Sequence, residues 1–510
     1  MKNSKKSTTA KQAFHARTKL IDIQEGDSLT VLLNEQEARE HGINSMDKVS
    51  LLYKGKEIVV DADLSHSYIK HGEVGILKDV VQKYKIGTGE MVAVAFTSNS
   101  TLSIDALKRA LKWTKPNEKE TFAIMKDIAT NRFTDTLTTY YSALWFFYPS
   151  TDKELYIMAK AMAETGEMLH FPWVVADKHC MGWVPGNETT MIMIPLLASL
   201  GIKMPKTFSK AITTPAATGE CVSVLMDISF SKPQIEKLVK EQNTCLVRGG
   251  GLDLAPADEK LIRAAYPLSM QSYSRTVVSI MAKKYAMGVN HSLIDIPMGP
   301  TAKVPDMKTA LQLKKQFIYV GEKLGMKVHV EITPALEPIG AWVGAVMQVR
   351  EVLRVLQQHE LRPMDLQTKA VFLSSKIIEL VGLAKGKAAV ALALETLKSG
   401  KAWKKMQSII KAQHGKNPNI KSEELELAKV KKEIKAEKDW MVKSIDMKVL
   451  NVAARTLGAP IDLKAGLYLH KKTGDKVKKW DIIYTLYASE EAKIKMALEF
   501  LDQKKMYILK

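Results

Sequence analysis

The stretch DKHCMGWVPGNETTMIMIPLLASLG, residues 177–201, constrains the fold more than any other part of the sequence. A short apolar run at 172–176 precedes a loop rich in Gly and Pro, and the apolar segment 189–200 ends at a glycine. This order predicts a strand, a loop and a buried helix. A helix N-terminus attracts anions because its first N–H groups lack partners. Lys178 and His179 are therefore predicted to lie beside a phosphate site, although a tight turn would give the same spacing.

Length and composition limit the class of protein. A chain of 510 residues predicts two to four domains, and 46% hydrophobic with 25% charged residues is ordinary for a globular protein. No apolar run approaches the ~20 residues of a membrane helix. The basic N-terminus has no apolar core, so we expect a cytoplasmic protein without a membrane partner. Three scattered cysteines predict neither a disulfide framework nor a metal site.

The charge balance bears on the partner. Lys and Arg number 75 against 55 Asp and Glu, which gives a net charge of +20. Such a charge can serve nucleic-acid binding, or it can raise the local concentration of phosphorylated small molecules. The sequence has no recognisable nucleic-acid motif and no basic-aromatic array. We therefore expect an anionic small substrate and no nucleic-acid partner.

The changing periodicity predicts an α/β multidomain fold. Alternation of period two in the first hundred residues gives way to helical spacing, and then to short apolar runs that alternate with helices. The predicted parts are a mobile basic tail at 1–17, a small N-terminal β-rich domain at 18–98, a helical domain at 99–169, a large phosphate-binding α/β domain with a mainly parallel sheet at 170–257 plus 289–412, a charged helix or linker at 413–440, and a C-terminal α+β domain at 441–510.

Several local features refine this division. Asn117 and Thr151, each three residues before a Glu, predict helix caps. Tyr140, Leu144 and Phe147 share one apolar stripe and predict the packed face of a helix. Asp258 follows Pro256 and predicts an N-cap. Two helices are also expected, one over 309–324 and one over 342–357.

The residues of the 177–201 stretch resemble a known signature. Lys178 and His179 are followed by Gly182, Val184, Pro185-Gly186-Asn187 and Thr189-Thr190, as in the pyrimidine-nucleoside phosphorylase family in the form carried by its AMP phosphorylase branch. Four further blocks resemble that branch in the same order: PKTFSKAITTPAATGE at 205–220, GGGLDLAPAD at 249–258, SIMAKK at 279–284 and IDIPMGPTAK at 294–303. The resemblance covers nearly the whole chain.

The resemblance implies a pentosyltransferase that cleaves nucleoside monophosphates with inorganic phosphate as co-substrate and no other cofactor. AMP and phosphate would give adenine and ribose 1,5-bisphosphate. The extra N-terminal domain favours this branch over the shorter thymidine phosphorylases. The resemblance also implies a homodimer, and it places residues from about 258 to 288 with the helical domain, so that substrate would lie in a cleft beside the α/β domain.

The same resemblance, joined to residue chemistry, gives the candidate site. Lysine supplies a point charge for phosphate, whereas a polar Ser/Thr cluster or a helical lysine is often only a capped turn or a surface group. His179 is either an acid or a buried structural histidine. The candidate catalytic residues are His179, Gln271 and Lys283. The candidate phosphate- and substrate-binding residues are Lys178, Cys180, Gly182, Trp183, Ser209, Lys210, Thr213, Thr214, Thr218, Ser279 and Lys303.

Lys303 is the main discriminator between substrates, because a lysine after a strand and a Gly-Pro turn could neutralise the 5′-phosphate that a nucleoside lacks. Three candidate site residues depart from the family pattern. Cys180 replaces a serine, Gln271 an aspartate that serves as proton donor, and Trp183 a glycine. Two alternatives to AMP phosphorolysis therefore stay open: a thymidine or pyrimidine-nucleoside phosphorylase, and a catalytically impaired nucleotide-binding homologue.

Three tryptophans stand where the family leads us to expect glycine: Trp183, Trp342 and Trp480. An indole in place of glycine removes the freedom to adopt a positive φ and crowds a close backbone approach. Either the site is remodelled around Trp183, or the source reads UGA codons as glycine.

Overall fold

In the computed structural model the chain is described over residues 13–26, 28–97, 100–182, 184–208, 211, 214–268, 270 and 272–509. These residues form two compact units. Unit 1 comprises the described residues up to Ser150, with Glu164–Gly166 and Ala255–Arg275. Unit 2 comprises Thr151–Ala163, Glu167–Leu254 and the described residues from Thr276 onward.

The chain forms strands and helices in succession, with runs of strands near its start and runs of helices elsewhere. The strands are Phe14–Ile21 (β1), Thr30–Asn34 (β2), Lys48–Tyr53 (β3), Lys56–Ser65 (β4), Glu73–Leu77 (β5), Met91–Phe96 (β6), Ala176–Cys180 (β7), Met204–Phe208 (β8), Thr244–Arg248 (β9), His291–Met298 (β10), Lys327–Pro334 (β11), Trp342–Val343 (β12), Val430–Lys435 (β13), Trp440–Ile445 (β14), Gly466–Leu469 (β15), Lys476–Val477 (β16), Ile482–Ala488 (β17) and Tyr507–Leu509 (β18). The helices are Glu35–Glu40 (α1), Lys78–Tyr84 (α2), Thr101–Ala110 (α3), Glu118–Ala129 (α4), Asp135–Phe147 (α5), Asp152–Glu164 (α6), Thr189–Ser199 (α7), Thr218–Ser223 (α8), Lys232–Gln242 (α9), Pro256–Ala265 (α10), Tyr273–Ala286 (α11), Met307–Lys323 (α12), Ala345–Leu356 (α13), Met364–Leu380 (α14), Gly386–Lys398 (α15), Lys401–Ala412 (α16), Met447–Thr456 (α17) and Glu491–Gln503 (α18).

Unit 1 contains a closed barrel with the strand order β1-β5-β2-β4-β3-β6. Alternate residues point inward, so that Val49, Val60 and Val94 are fully buried. The β3–β4 hairpin turns at Lys54 and Gly55, which both have positive φ, as a tight two-residue turn requires. β1 begins at Phe14, so the predicted tail at 1–17 is wrong for its last four residues.

The helices of unit 1 confirm one sequence prediction and correct two. Asn117 caps α4 in a reciprocal capping box with Glu120. The predicted stripe on α5 is wrong by one position, because Tyr141 is buried whereas Tyr140 is exposed. A heavily aromatic helix of low amphipathicity gives little basis for choosing the packed face. Asp258 is not an N-cap, since α10 begins at Pro256 and Asp258 lies within its first turn.

Unit 2 contains parallel strands in the order β11-β10-β7, with a second parallel pair formed by β8 and β9. A parallel bridge between Val175 and Lys203 links the two groups. The predicted helix at 189–200 is confirmed as α7, whose residues are buried against α14 and α16. The strand before it differs from prediction: it runs over Ala176–Cys180, so Lys178 lies within the strand and not in the following loop.

The C-terminal part of unit 2 forms an antiparallel sheet in the order β12-β15-β17-β13. The charged segment 413–440 is not a helix or a plain linker, because β13 pairs along β17. Its charges are compatible with a sheet edge, where most side chains stay in water. The expected helix at 342–357 begins only at Ala345, after the short strand β12. Within the described ranges, no helix is long and apolar enough to cross a membrane.

The backbone distinguishes the three unusual tryptophans. Trp480 has φ +75° and occupies the third position of a turn closed by the Asp481 N–H to the Lys478 carbonyl at 3.0 Å. That position normally requires glycine. Trp342 has no positive φ and is buried against Tyr468. Trp183 lies outside the described residues.

Trp480→Gly is expected to raise the free energy of unfolding by about 1 kcal/mol, because a left-handed backbone costs an L-residue roughly that much. The exposed indole gives up only its contact with the Lys479 ammonium. Urea unfolding measures the change. Trp440→Gly is the matched control: it removes a half-buried strand residue that contacts Tyr507 and should destabilise. A loss of stability in both variants would contradict the backbone argument.

Candidate functional site

The candidate site is built on the carboxyl ends of two neighbouring parallel strands. Lys178 of β7 lies beside Leu293 of β10, and Cys180 beside Asp295. Because the two strands are parallel, both end at the same edge of the sheet, where ligands of α/β proteins bind. The Lys178 side chain is only 1% exposed, and its Nζ donates a hydrogen bond to Thr189 Oγ1 at 3.0 Å. The lysine thus reaches the first residue of α7.

Two buried carboxylates organise the lysines around this edge. Asp177 forms ion pairs with Lys206 of β8, at 3.0 Å, and with Lys284 of α11. The Lys206 ammonium also donates to the Lys178 carbonyl at 2.6 Å. One carboxylate therefore ties two strands and a helix together.

The second carboxylate, Asp295, lies on β10. It accepts a hydrogen bond from Thr333 Oγ1 at 2.6 Å and lies 3.3 Å from the Lys369 ammonium of α14. The Lys178 ammonium is 3.9 Å away. The lysines hold the pKa of Asp295 below its usual value, although burial alone would raise it. Asp295 is therefore ionised at neutral pH.

The cluster contains more positive than negative charge. Four buried or nearly buried lysines surround two carboxylates, an excess of two positive charges when all are ionised (four minus two). Burial lowers the pKa of Lys206 to about 7; Asp177 opposes this shift, whereas Lys284 and Lys178 add to it. A buried positive excess is costly without a counter-charge. A dianion such as phosphate would supply it.

His179 lies within the field of this cluster. Burial holds the pKa of its imidazole well below the usual value, and four lysines reinforce the shift: Lys284, Lys206, Lys283 and Lys178. The ring is therefore neutral at physiological pH. A neutral imidazole can donate one hydrogen bond but is a poor source of protons.

The loop after β7 is held by a sulfur atom and by two glycines. Cys180 Sγ accepts hydrogen bonds from the Gly182 N–H at 3.4 Å and from Asn187 Nδ2 at 3.2 Å. Burial and Asp295 raise the pKa of this thiol, so it stays neutral. Gly182 has φ +91°, and a Cβ on Gly186 would lie 1.8 Å from the Ile339 carbonyl oxygen. Cys180 thus binds the loop backbone itself.

The structure describes some of the remaining predicted residues and not others. Ser279 and Lys283 are four residues apart on α11 and half-buried, and Lys283 is close enough to His179 to lower its pKa. Thr218 begins α8, and Lys303 follows the carboxyl end of β10. The Thr214 carbonyl accepts a hydrogen bond from Arg455 Nη1 at 3.5 Å. The other predicted residues lie outside the described part of the chain: Trp183, Ser209, Lys210, Thr213 and Gln271.

Sequence reasoning missed five residues of the cluster and Glu188, which lies just before α7. The missed residues are Asp177, Glu188, Lys206, Lys284, Asp295 and Lys369. Five of these six lie inside the blocks quoted for the family resemblance, where each adjoins or lies near a residue that was singled out. An acidic residue in an apolar strand, as in SLIDIP, is the signal that could have identified Asp295, because a buried carboxylate needs a partner. Lys369 carries no such local signal.

Comparisons with known proteins identify relatives of this chain. The C-terminal residues 441–507 match the pyrimidine nucleoside phosphorylase C-terminal domain. The chain is 37% identical to an AMP phosphorylase of Thermococcus kodakarensis over 95% of both chains. It is 35% identical to AMP phosphorylases of Thermofilum pendens, over 93% of this chain and 91% of the relative, and of Methanocaldococcus jannaschii, over 92% and 93%.

A solved structure shares the fold. Anthranilate phosphoribosyltransferase from Thermus thermophilus superimposes with a TM-score of 0.51 at 14% identity, covering 61% of this chain and all of the other. The matched C-terminal domain and the full-length relatives place the chain in the pyrimidine-nucleoside phosphorylase class. Within that class the chain belongs to the AMP phosphorylase family, because the relatives above span more than nine-tenths of its length.

Asp177→Asn is expected to lower the free energy of unfolding by about 3–5 kcal/mol, because two buried ammonium groups lose their counter-charge. Urea unfolding measures the loss. Asp306→Asn provides a control of the same chemistry, since Asp306 is an exposed N-cap of α12 and the change should cost about 1 kcal/mol or less. Equal, small losses in both variants would show that Asp177 does not hold the cluster together.

Proposed function

We propose that this protein cleaves AMP with inorganic phosphate, giving adenine and ribose 1,5-bisphosphate. The observation that carries the proposal is the excess of buried lysine charge at the carboxyl ends of β7 and β10. Relatives that bear the name AMP phosphorylase over almost the full chain support the same reaction.

Phosphate is the nucleophile in this reaction and arrives already ionised. The protein has to hold the dianion near the anomeric carbon and align it, which converts a bimolecular step into an intramolecular one. Lys178 supplies a positive charge that is buried and fixed by Thr189, and the N-terminus of α7 adds its unpaired N–H groups. The fixed charge needs little reorganisation when negative charge moves from phosphate to the base.

The leaving base gains negative charge and needs a proton or hydrogen bonds. Gln271 can donate a hydrogen bond but cannot transfer a proton. The neutral His179 has the same limit. We therefore propose that hydrogen bonding to the base, and not general acid catalysis from either residue, supports departure. Ser279 and Lys283 are proposed to face the nucleotide, as the family resemblance implies.

Several finer statements rest on the family alone and are proposals. The candidate site residues are proposed to bind substrate as assigned from the sequence, including those outside the described ranges. The division into N-terminal β-rich, helical, α/β and C-terminal α+β domains is likewise proposed. So are the homodimer, the cytoplasmic location, and the use of phosphate without any cofactor.

An assay of phosphate-dependent base release tests the proposed reaction. Parallel reactions with AMP, CMP, thymidine and uridine separate a nucleotide phosphorylase from a nucleoside phosphorylase. Release of adenine from AMP that depends on phosphate would confirm the proposal. Turnover of nucleosides alone would replace it with the thymidine phosphorylase alternative, and binding of AMP without any turnover would favour an impaired homologue.

Lys303→Ala is expected to lower kcat/KM for AMP by about 10²-fold and to change kcat/KM for adenosine little, because only the nucleotide offers a 5′-phosphate. Steady-state kinetics with both substrates measure the ratio. Lys308→Ala is the matched control, since Lys308 is exposed in the first turn of α12. Equal losses for AMP and adenosine in Lys303→Ala would exclude a specific contact with the 5′-phosphate.

Gln271→Asp is expected to raise kcat with AMP, because general acid catalysis contributes ~10²–10⁴-fold where a positioned acid is present. The pH profile of kcat should then gain a limb that falls as the pH rises and the new carboxyl loses its proton. His179→Asn is measured alongside. An unchanged rate in Gln271→Asp together with a lowered rate in His179→Asn would instead assign the proton transfer to His179.

A further inference from the structure

Glu188 is the last residue of the loop after β7 and directly precedes α7. Its backbone N–H donates to the Gly186 carbonyl at 2.8 Å, and its own carbonyl accepts from the Met191 N–H at 3.1 Å. These bonds make it the N-cap residue of the helix. The side chain is buried, with 6% of the residue exposed. The side chain makes no capping hydrogen bond to the first N–H groups of α7, but it buries a carboxyl group beside the helix terminus, where an anion is expected.

The surroundings of this carboxyl do not neutralise it by an ion pair. Thr218 Oγ1 donates to Glu188 Oε2 at 3.2 Å, whereas the nearby Cys221 thiol donates to Gln348 Oε1 at 3.4 Å. Across the described ranges, no cationic nitrogen lies within 4.0 Å of the Glu188 carboxylate. The Lys178 ammonium acts on Glu188 through space, and it binds Thr189, the next residue. Glu220 of α8 adds a second negative charge nearby.

Burial raises the pKa of Glu188 to about 7, because the charged form loses its hydration. Thr218, Lys178 and Cys221 oppose the shift, whereas Glu220 adds to it. At neutral pH the carboxyl therefore exists in both forms. An ionised Glu188 would repel a phosphate dianion held by Lys178 in a site of low dielectric constant. A protonated Glu188 would instead offer an O–H donor to it.

We infer that Glu188 belongs to the phosphate site and takes up a proton when the anion binds, so that its neutral carboxyl donates a hydrogen bond. This inference rests on the proposed function, because it takes the loop after β7 as the place where phosphate binds. The proton comes from solvent and returns to it when the anion leaves. Anion affinity is then highest below the pKa of Glu188 and falls as the pH rises above it.

Lys206 adds a second pH dependence of the same sign. Its ammonium loses a proton in the same range, and a neutral Lys206 would weaken the attraction for an anion. The pH dependence of anion affinity in the wild type therefore does not by itself assign the proton to Glu188. Glu188→Gln separates the two groups, because the amide keeps a hydrogen-bond donor at every pH and leaves Lys206 unchanged.

The test measures the Kd of the full chain for sulfate by calorimetry between pH 6.5 and 8.5. Sulfate stays a dianion throughout, so its own ionisation does not enter. The ratio of the wild-type Kd to the Glu188→Gln Kd is expected to rise by about tenfold or more over this range, since one proton contributes up to tenfold per pH unit. Glu351→Gln is the matched control. Glu351 is a buried glutamate whose pKa burial raises to about 8, and it binds the Ala341 N–H at 2.8 Å.

The Kd of Glu351→Gln for sulfate should equal that of the wild type at every pH. Parallel profiles for wild type and Glu188→Gln would overturn the inference, and so would loss of sulfate binding by folded Glu188→Gln at every pH. If Glu188→Gln does not fold, calorimetry of the wild type in buffers of different ionisation enthalpy counts the protons taken up near pH 7. Lys206 is half protonated near its pKa and can take up only about half a proton, so an uptake near one proton requires a second group, whereas about half a proton or less would overturn the inference.

The experiment distinguishes this inference from the proposed function. Sulfate binding involves no chemistry. If the protein does not cleave AMP but its affinity for sulfate depends on pH through Glu188, the proposed reaction is wrong and the inference stands. If the protein cleaves AMP but the pH dependence of Kd is the same for wild type and Glu188→Gln, the proposed reaction stands and the inference is wrong.

Discussion

The site depends on the ion pairs that Asp177 makes with Lys206 and Lys284. A fully buried carboxylate cannot be left alone in a protein interior, so the three side chains fix one another. Since they come from β7, β8 and α11, the interaction sets the spacing of two strands and a helix. The position of Lys178, one residue after Asp177, follows from this arrangement.

The chemistry follows from the imbalance of charge around that ion pair. More ammonium groups than carboxylates are buried near the strand ends, and the structure tolerates the excess because Lys206 gives up its proton at about pH 7. Burial, reinforced by the same lysines, lowers the pKa of His179 and keeps its ring neutral. An anion that enters such a site meets fixed positive charge and hydrogen-bond donors without reorganisation of the protein, which is the condition for electrostatic catalysis.

Local sequence patterns predicted the buried elements best. The helix α7 and the strand β10 are where the apolar runs indicated, because an almost completely buried element has a continuous apolar sequence. The errors occur where the pattern is ambiguous. For the aromatic helix α5, the predicted packed face is wrong. The segment that forms β13 was predicted as a charged helix or linker, because its spacing of charges fits both a helix and a strand. Trp480 shows a different limit, since its positive φ is visible only in the backbone.

The sequence by itself determined the family, the lysine-histidine pair before an apolar helix, that helix, and the anionic nature of the substrate. Each of these is carried by neighbouring residues, so it is readable without coordinates. Only the tertiary structure decided which distant residues meet there. Lys369 lies 191 positions beyond Lys178 and joins it at Asp295 because α14 packs against β10 and β7. Likewise, the raised pKa of Glu188 comes from burial beneath α8, a property of packing that no local pattern encodes.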